Sequence, residues 1–389
     1  MSHHHAPPGL GEASFFAHHH GSTALGGDPE RQRLHLNGAL LPGGEVTDLW
    51  VVDGVLRTEA VADAVTVCTG AWIMPGLVDA HCHVGLGPHG AVPVDVAEAQ
   101  ALADRDAGTL LIRDAGSPVD TSWIDEREDL PRMIRAGRHI ARPLRYIRNY
   151  AEEVEPETLV EEVARQAVRG DGWVKLVGDW IDRNLGDLAP LWPTGVAAAA
   201  IDRAHELGAR VTAHCFGEES VHELVRAGID GIEHGTGLDA GTIALMAERG
   251  IALVPTLVNL ENFPGFADAG EAKFPAYARH MRALYARRFA TMAAAVEAGV
   301  PVYAGTDAGS TIGHGLVGTE IAMLARLGGA EFGLGAASWR AREWLGAPPV
   351  ADGAWADLVV YDSDPRLDPG ITRTPRLVIL RGRVVPTPS

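Results

Sequence analysis

The chain has 389 residues and a formal charge of −18, from 33 Lys and Arg against 51 Asp and Glu. That length allows two or three domains or one large barrel with additions, and 46% hydrophobic with 22% charged residues excludes a disordered, collagen-like or disulfide-stapled chain. No apolar run approaches the ~18 residues of a membrane helix, and the acidic balance argues against nucleic acid as a partner.

Residues 1–30 read as a flexible tail. They hold two His triplets, His3 to His5 and His18 to His20, and show no apolar period or signal-peptide pattern. Residues 31–73 read as short strands: RLHLNGALL, DLWVVDGVL and AVTVCTGAWIM alternate apolar residues between Gly and Asp turn signals. The C-terminal stretches ADLVVYDSD (356–364) and RLVILRGRVV (376–385) have the same character. The two ends, 31–73 plus 349–389, are therefore expected to pair into a small β-sandwich, with 74–348 inserted between them.

The middle alternates apolar strands with amphipathic helices. The expected strands are 76–84, 109–116, 142–149, 173–179, 210–215, 231–235, 252–257 and 302–309. Helices are expected over 196–208, 242–250 and 278–299, several stopping at Gly. Eight strand–helix units with nearly all-apolar strands predict an α/β fold, a (β/α)8 TIM barrel buried on both faces.

Polar residues interrupt these strands mainly at their C-terminal ends: His81 and His83, Lys175, His214, His234 and Asp307. In a parallel barrel those ends surround one mouth. His-x-His on a strand places both imidazoles on one side, and neutral imidazoles suit a divalent borderline metal. Two more imidazoles and a carboxylate complete a metal environment.

Lys175 carries a separate argument. The chain has only two lysines, Lys175 and Lys273; its other cationic side chains are arginines. A protonated amine beside metal ions is repelled, whereas a neutral one can take up carbon dioxide and become a bridging carbamate, which Arg cannot do. The alternative is a lysine that snorkels to a salt bridge with Asp179. A carbamate implies a pair of metals. The cysteines Cys68, Cys82 and Cys215 are too few and scattered for a disulfide framework and fit a reducing, cytoplasmic setting.

MPGLVDAHCHVG, VTAHC, IEHGT, VPTL and GTDAG, in that order, resemble the amidohydrolase superfamily, and more narrowly its imidazolonepropionase-like and prolidase-like branch. The resemblance runs from about residue 45 to the end. It implies that His81, His83 and Asp307 hold a buried metal ion, that His214 and His234 hold a more exposed one, and that carboxylated Lys175 bridges them. Zinc is the expected ion. Such a pair would acidify a bridging water to hydroxide for attack on a carbonyl, with Asp307 as the proton shuttle.

Two departures stand out. Deaminases of the superfamily often carry Glu three residues after the fifth-strand His; here Gly217 stands there, followed by Glu218 and Glu219. Near relatives usually show a second His two residues after the fifth-strand His and a Gly-Gly-His segment after the third strand; here the matching features are Phe216 and RYIRNY.

The expected activity is hydrolysis of an amide or peptide-like C–N bond in a small molecule of the N-acyl amino acid, dipeptide or cyclic amide class. A mononuclear deaminase or cyclic-amidine hydrolase is the alternative, and a non-catalytic metal-binding barrel the third. Arg145, Tyr146, Arg148 and Tyr150 near the expected third strand, and Trp180, His89 and His314 in loops, are candidate substrate contacts. His222 reads as a helix-surface residue, and Glu233 as a support behind His234. A homo-oligomer is compatible with the resemblance.

Overall fold

The computed structural model describes residues 33–386. The N-terminal tail and its His triplets lie outside the described residues.

Strands from both ends of the chain form one seven-stranded sheet. Its order is Arg383–Val384, Leu377–Leu380, Leu358–Tyr361, Val65–Pro75, Leu34–Leu40, Glu45–Val52 and Val55–Arg57. The alternation read from LHLNGAL buries Leu34 and Leu36 and leaves His35 and Asn37 toward the other face. Asp53 and Gly54 both take positive φ, 52° and 79°, giving the tight two-residue turn that Asp-Gly favours. Leu34, Leu36, Val51, Leu56, Ile73, Leu358, Val360 and Ile379 share a core of their own.

Parallel strands follow. Leu77–Cys82 pairs with Thr109–Asp114, which pairs with Arg132–Arg135. A second sheet runs Glu152–Glu153, Ile140–Ala141, Trp173–Val177, Arg210–Cys215, Gly231–His234 and Ala252–Val254. The segment around 302–308 joins the two: Val302 bridges Leu253, Ala308 bridges Cys82, and Ala80 N–H donates to Ala304 O at 2.8 Å. Leu77–Cys82 and Trp173–Val177 are buried along their whole length, as expected of strands covered on both faces.

Helices lie close to where the apolar period places them, at Thr194–Glu206, Ala240–Arg249 and Pro275–Glu297. Asp239 caps the second by accepting from Thr242 N–H, and Gly250 ends it at φ 67°. None of the described helices is long and apolar enough to cross a membrane.

Two strand expectations need correction. The third strand is Arg132–Arg135, not 142–149. Pro143 offers no amide hydrogen, and Leu144 and Asn149 sit at φ 63° and 69°, so RPLRYIRN cannot sustain a ladder. The 302–309 segment makes isolated bridges rather than a regular strand, because Asp307 turns the backbone at φ 60°.

Candidate metal centre

The first strand delivers His81 and His83 to one side, as period two requires. Their Nε2 atoms stand 3.2 Å apart, and each lies 3.0 Å from Asp307 Oδ1. The other ring nitrogens are committed. His83 Nδ1 donates to Gly116 O at 2.6 Å, and His81 Nδ1 meets Glu233 Oε2 at 2.7 Å. Both partners are acceptors, so both Nε2 lone pairs are left facing each other and a carboxylate oxygen. Three electron-rich atoms converging at hydrogen-bond distance have no proton source among themselves, and a cation between them resolves the conflict.

His234 joins this group: ligand atoms of His81, His234 and Asp307 all lie within 4.8 Å of one another. Its Nδ1 is held by Thr256 Oγ1 at 2.7 Å, leaving Nε2 free for the cluster. The His214 ring stacks edge-on 4.7 Å from that of His234, and its Nε2 is buried with no hydrogen-bond partner. Lys175 Nζ is likewise buried without a partner. The salt bridge to Asp179 is not formed, since Asp179 accepts from the amides of Phe216 and Gly217 and from the Ser220 hydroxyl. Orphaned buried polar atoms are costly. An occupant of that space would give the buried His214 Nε2 a partner, and the residues fit a metal ion.

The backbone pays attention to two of these side chains. His234 and Asp307 adopt left-handed φ, 64° and 60°. Such positions cost about 1–3 kcal/mol each and cluster where function demands them.

Burial lowers Lys175 to about 8, although Glu233 and Asp307 pull it upward. Burial also lowers His234 to about 3 and His214 well below the usual imidazole value. For Asp307 burial pushes upward, but the His81 and His83 imidazoles prevail and hold its carboxyl well below the carboxylate range. Asn259 Nδ2 donates to its outer oxygen at 2.7 Å.

Beneath the cluster lies a buried ion pair missed by sequence reasoning. Arg113 Nη2 donates to Glu233 Oε1 at 2.5 Å, its Nε donates to Ala80 O at 2.7 Å, and its guanidinium sits 4.6 Å from the Trp173 ring centre. Thr212 also donates to Glu233. The available signal was a lone Arg inside TLLIRDAG, the same kind of signal that singled out Lys175.

A cavity opens beside the cluster. His83, His214 and Asp307 line it together with His139, Tyr146, Tyr150, Trp180, Phe216, Asn259 and Ile312. Tyr146 and Trp180 thus reach the place expected of them. Arg145 does not: it donates to Asp182 at 2.9 Å and to the carbonyls of Trp180 and Ala189. His314 does not either, because its Nδ1 is bound to buried Asp104 at 2.7 Å. Arg148 and His89 are exposed and outside the lining. His222 is exposed on its helix, with Nδ1 3.3 Å from Thr242 Oγ1. His139 was missed because the third strand was placed too late. It follows the true strand in Ala136-Gly137-Arg138-His139, and neither of its buried ring nitrogens has a partner.

A protein of Mycobacterium tuberculosis whose function is uncharacterized is 63% identical over 353 residues, 90% of this chain and 95% of its own. A Xaa-Pro dipeptidase crystallised with methionine in its active site superposes with a TM-score of 0.75 at 20% identity, covering 91% of this chain and 100% of that one. An ochratoxinase of A. niger gives 0.73 at 19% identity, covering 91% and 96%. Residues 72–385 match the Amidohydrolase family. The chain belongs to that family, and it is a hydrolase acting on carbon–nitrogen bonds.

Proposed function

We propose that the chain is a binuclear metal-dependent amidohydrolase that cleaves an amide or peptide-like C–N bond in a small molecule. The two parallel sheets are then parts of one (β/α)8 barrel over 74–348, and the seven-stranded sheet belongs to a second unit built from 31–73 and 349–389. His81, His83 and Asp307 would hold one ion and His214 and His234 the other, with Lys175, carboxylated, as a further ligand. The observation that carries the reading is the pair of orphaned buried atoms, Lys175 Nζ and His214 Nε2, beside a cluster of lone pairs. Zinc suits this nitrogen-and-oxygen set. The Xaa-Pro dipeptidase and ochratoxinase named above support the hydrolytic chemistry by their fold.

Divalent cations held there would acidify water and polarise the scissile carbonyl. The chain supplies the rest. Asp307, ionised and steadied by Asn259, accepts a proton and passes it to the leaving nitrogen. Glu233 and Gly116 O fix His81 and His83 so that Nε2 faces inward. The aromatic side chains at the cavity exclude water from the reacting bond.

A one-ion deaminase or cyclic-amidine hydrolase is the second reading, favoured by the compactness of His81, His234 and Asp307. Metal analysis of the purified protein together with intact mass decides between them. Two ions per chain and a carboxyl group on Lys175 are expected; one ion and an unmodified lysine overturn the binuclear reading.

A further inference from the structure

We infer that the site takes a neutral amide bearing a flat apolar group and discriminates against substrates with a free carboxylate; this rests on the hydrolase reading above and narrows its substrate class.

The cavity wall is aromatic. Tyr146, Tyr150, Trp180, Phe216 and Phe266 line it, as does Ile312. The rings brace one another: Tyr146 meets Trp180 edge-on at 4.8 Å, and Phe216 packs against His214 at 4.3 Å and Phe263 at 4.6 Å. Rings fixed in this way present faces and edges suited to another flat apolar group.

Cationic recognition is missing from that wall. Among the described residues, no Arg or Lys lines the cavity. Three arginines adjoin lining residues in sequence, and none of them lines the cavity; Arg148, next to Ile147, is exposed. Arg145, next to Tyr146, is bound to Asp182, and Arg138, next to His139, to Glu152 at 3.2 Å and to Tyr150 O. Ions held by the ligand set serve the scissile carbonyl, so a further anionic group would need a cation of its own. What the wall does offer is neutral hydrogen-bonding capacity, in the unpartnered His139 ring, the Thr311 hydroxyl and the hydrogen-bonded hydroxyl pair of Tyr150 and Ser310. Those groups suit the N–H and C=O of an uncharged amide.

A matched pair of compounds tests this. N-acetylphenethylamine and N-acetylphenylalanine differ only by a carboxylate. Each is assayed as substrate with metal-loaded protein. Their hydrolysis-resistant methanesulfonyl counterparts are assayed as ligands by shift in melting temperature. The neutral member is expected to show kcat/KM at least about ten-fold higher, since an unpaired carboxylate loses its hydration on entry. Its sulfonamide should raise the melting temperature more. Parity or preference for the carboxylate overturns the inference and leaves the hydrolase reading intact. Turnover of neither, with the neutral sulfonamide still the better ligand, supports the inferred binding preference and counts against amide cleavage as the reaction proposed above. Binding of neither sulfonamide overturns the inference.

Discussion

Glu233 Oε2 lies 2.7 Å from His81 Nδ1, and that bond decides which nitrogen of His81 faces the cluster. The carboxylate is fully buried, and burial alone would neutralise it. Arg113, His81 and Lys175 instead hold it well below the usual Glu range. Glu233→Gln removes the charge and keeps the shape. Metal affinity is expected to fall about 10–100-fold, the range for loss of a partner behind a ligand histidine. Competition titration against a chromogenic chelator reads this directly, and an unchanged affinity would detach Glu233 from the centre.

Lys175 separates charge from chemistry. Burial brings its amine to about 8, so a neutral, carbamate-forming fraction exists near neutral pH. Lys175→Arg keeps a cation that cannot be carboxylated. Metal content should drop from two ions toward one, and turnover by about a hundred-fold or more. In Lys175→Ala, added acetate or propionate should restore part of the activity by filling the carbamate's place. Full metal content in Lys175→Arg would end the bridging role.

Much of this centre was legible because the strands are so apolar. His81, His83, His214, His234 and Lys175 each interrupt a buried run, and polar residues placed there need a reason. What stayed hidden depended on distant pairing. RPLRYIRN mimics a strand through Leu144, Tyr146 and Ile147, while the true strand Arg132–Arg135 carries arginines at both ends. Those arginines are neutralised by Asp357, Asp125 and Asp171 from other segments, partners that no local pattern announces. Placing that strand too late concealed His139 and made Arg145 look like a substrate clamp. Arg113 was concealed similarly, since Glu233 lies 120 residues away.

Asp307 has both oxygens engaged: Oδ1 faces the two imidazole Nε2 atoms at 3.0 Å each, and Oδ2 accepts from Asn259 Nδ2. Asp307→Asn retains one oxygen for coordination and loses the capacity to accept a proton. Turnover is expected to fall by about 10²–10⁴-fold, with most of the bound metal retained. Steady-state rates and metal analysis on the same preparation check both parts; undiminished turnover would remove Asp307 from proton transfer.

Glu320 anchors the segment that follows Thr256, the partner of His234. It is buried, and its two oxygens accept from the amides of Leu257 and Val258 at 2.9 Å each. The preceding residue, Thr256, at φ 48°, holds His234 Nδ1. Burial pushes the Glu320 carboxyl to about 8 from an ordinary 4.5, against the pull of those amides. The folded chain therefore keeps a proton that the unfolded chain releases. By linkage, this group's stabilisation is full below about pH 4.5 and is lost as pH rises to about 8. Glu320→Gln fixes the neutral state. It should cost about 1 kcal/mol near pH 5, where one amide loses its acceptor, and compare progressively better with the parent as pH rises toward about 8. Urea unfolding of both proteins at several pH values measures the difference. Parallel pH profiles would show that Glu320 does not titrate in this window, leaving its two amide bonds as its whole contribution.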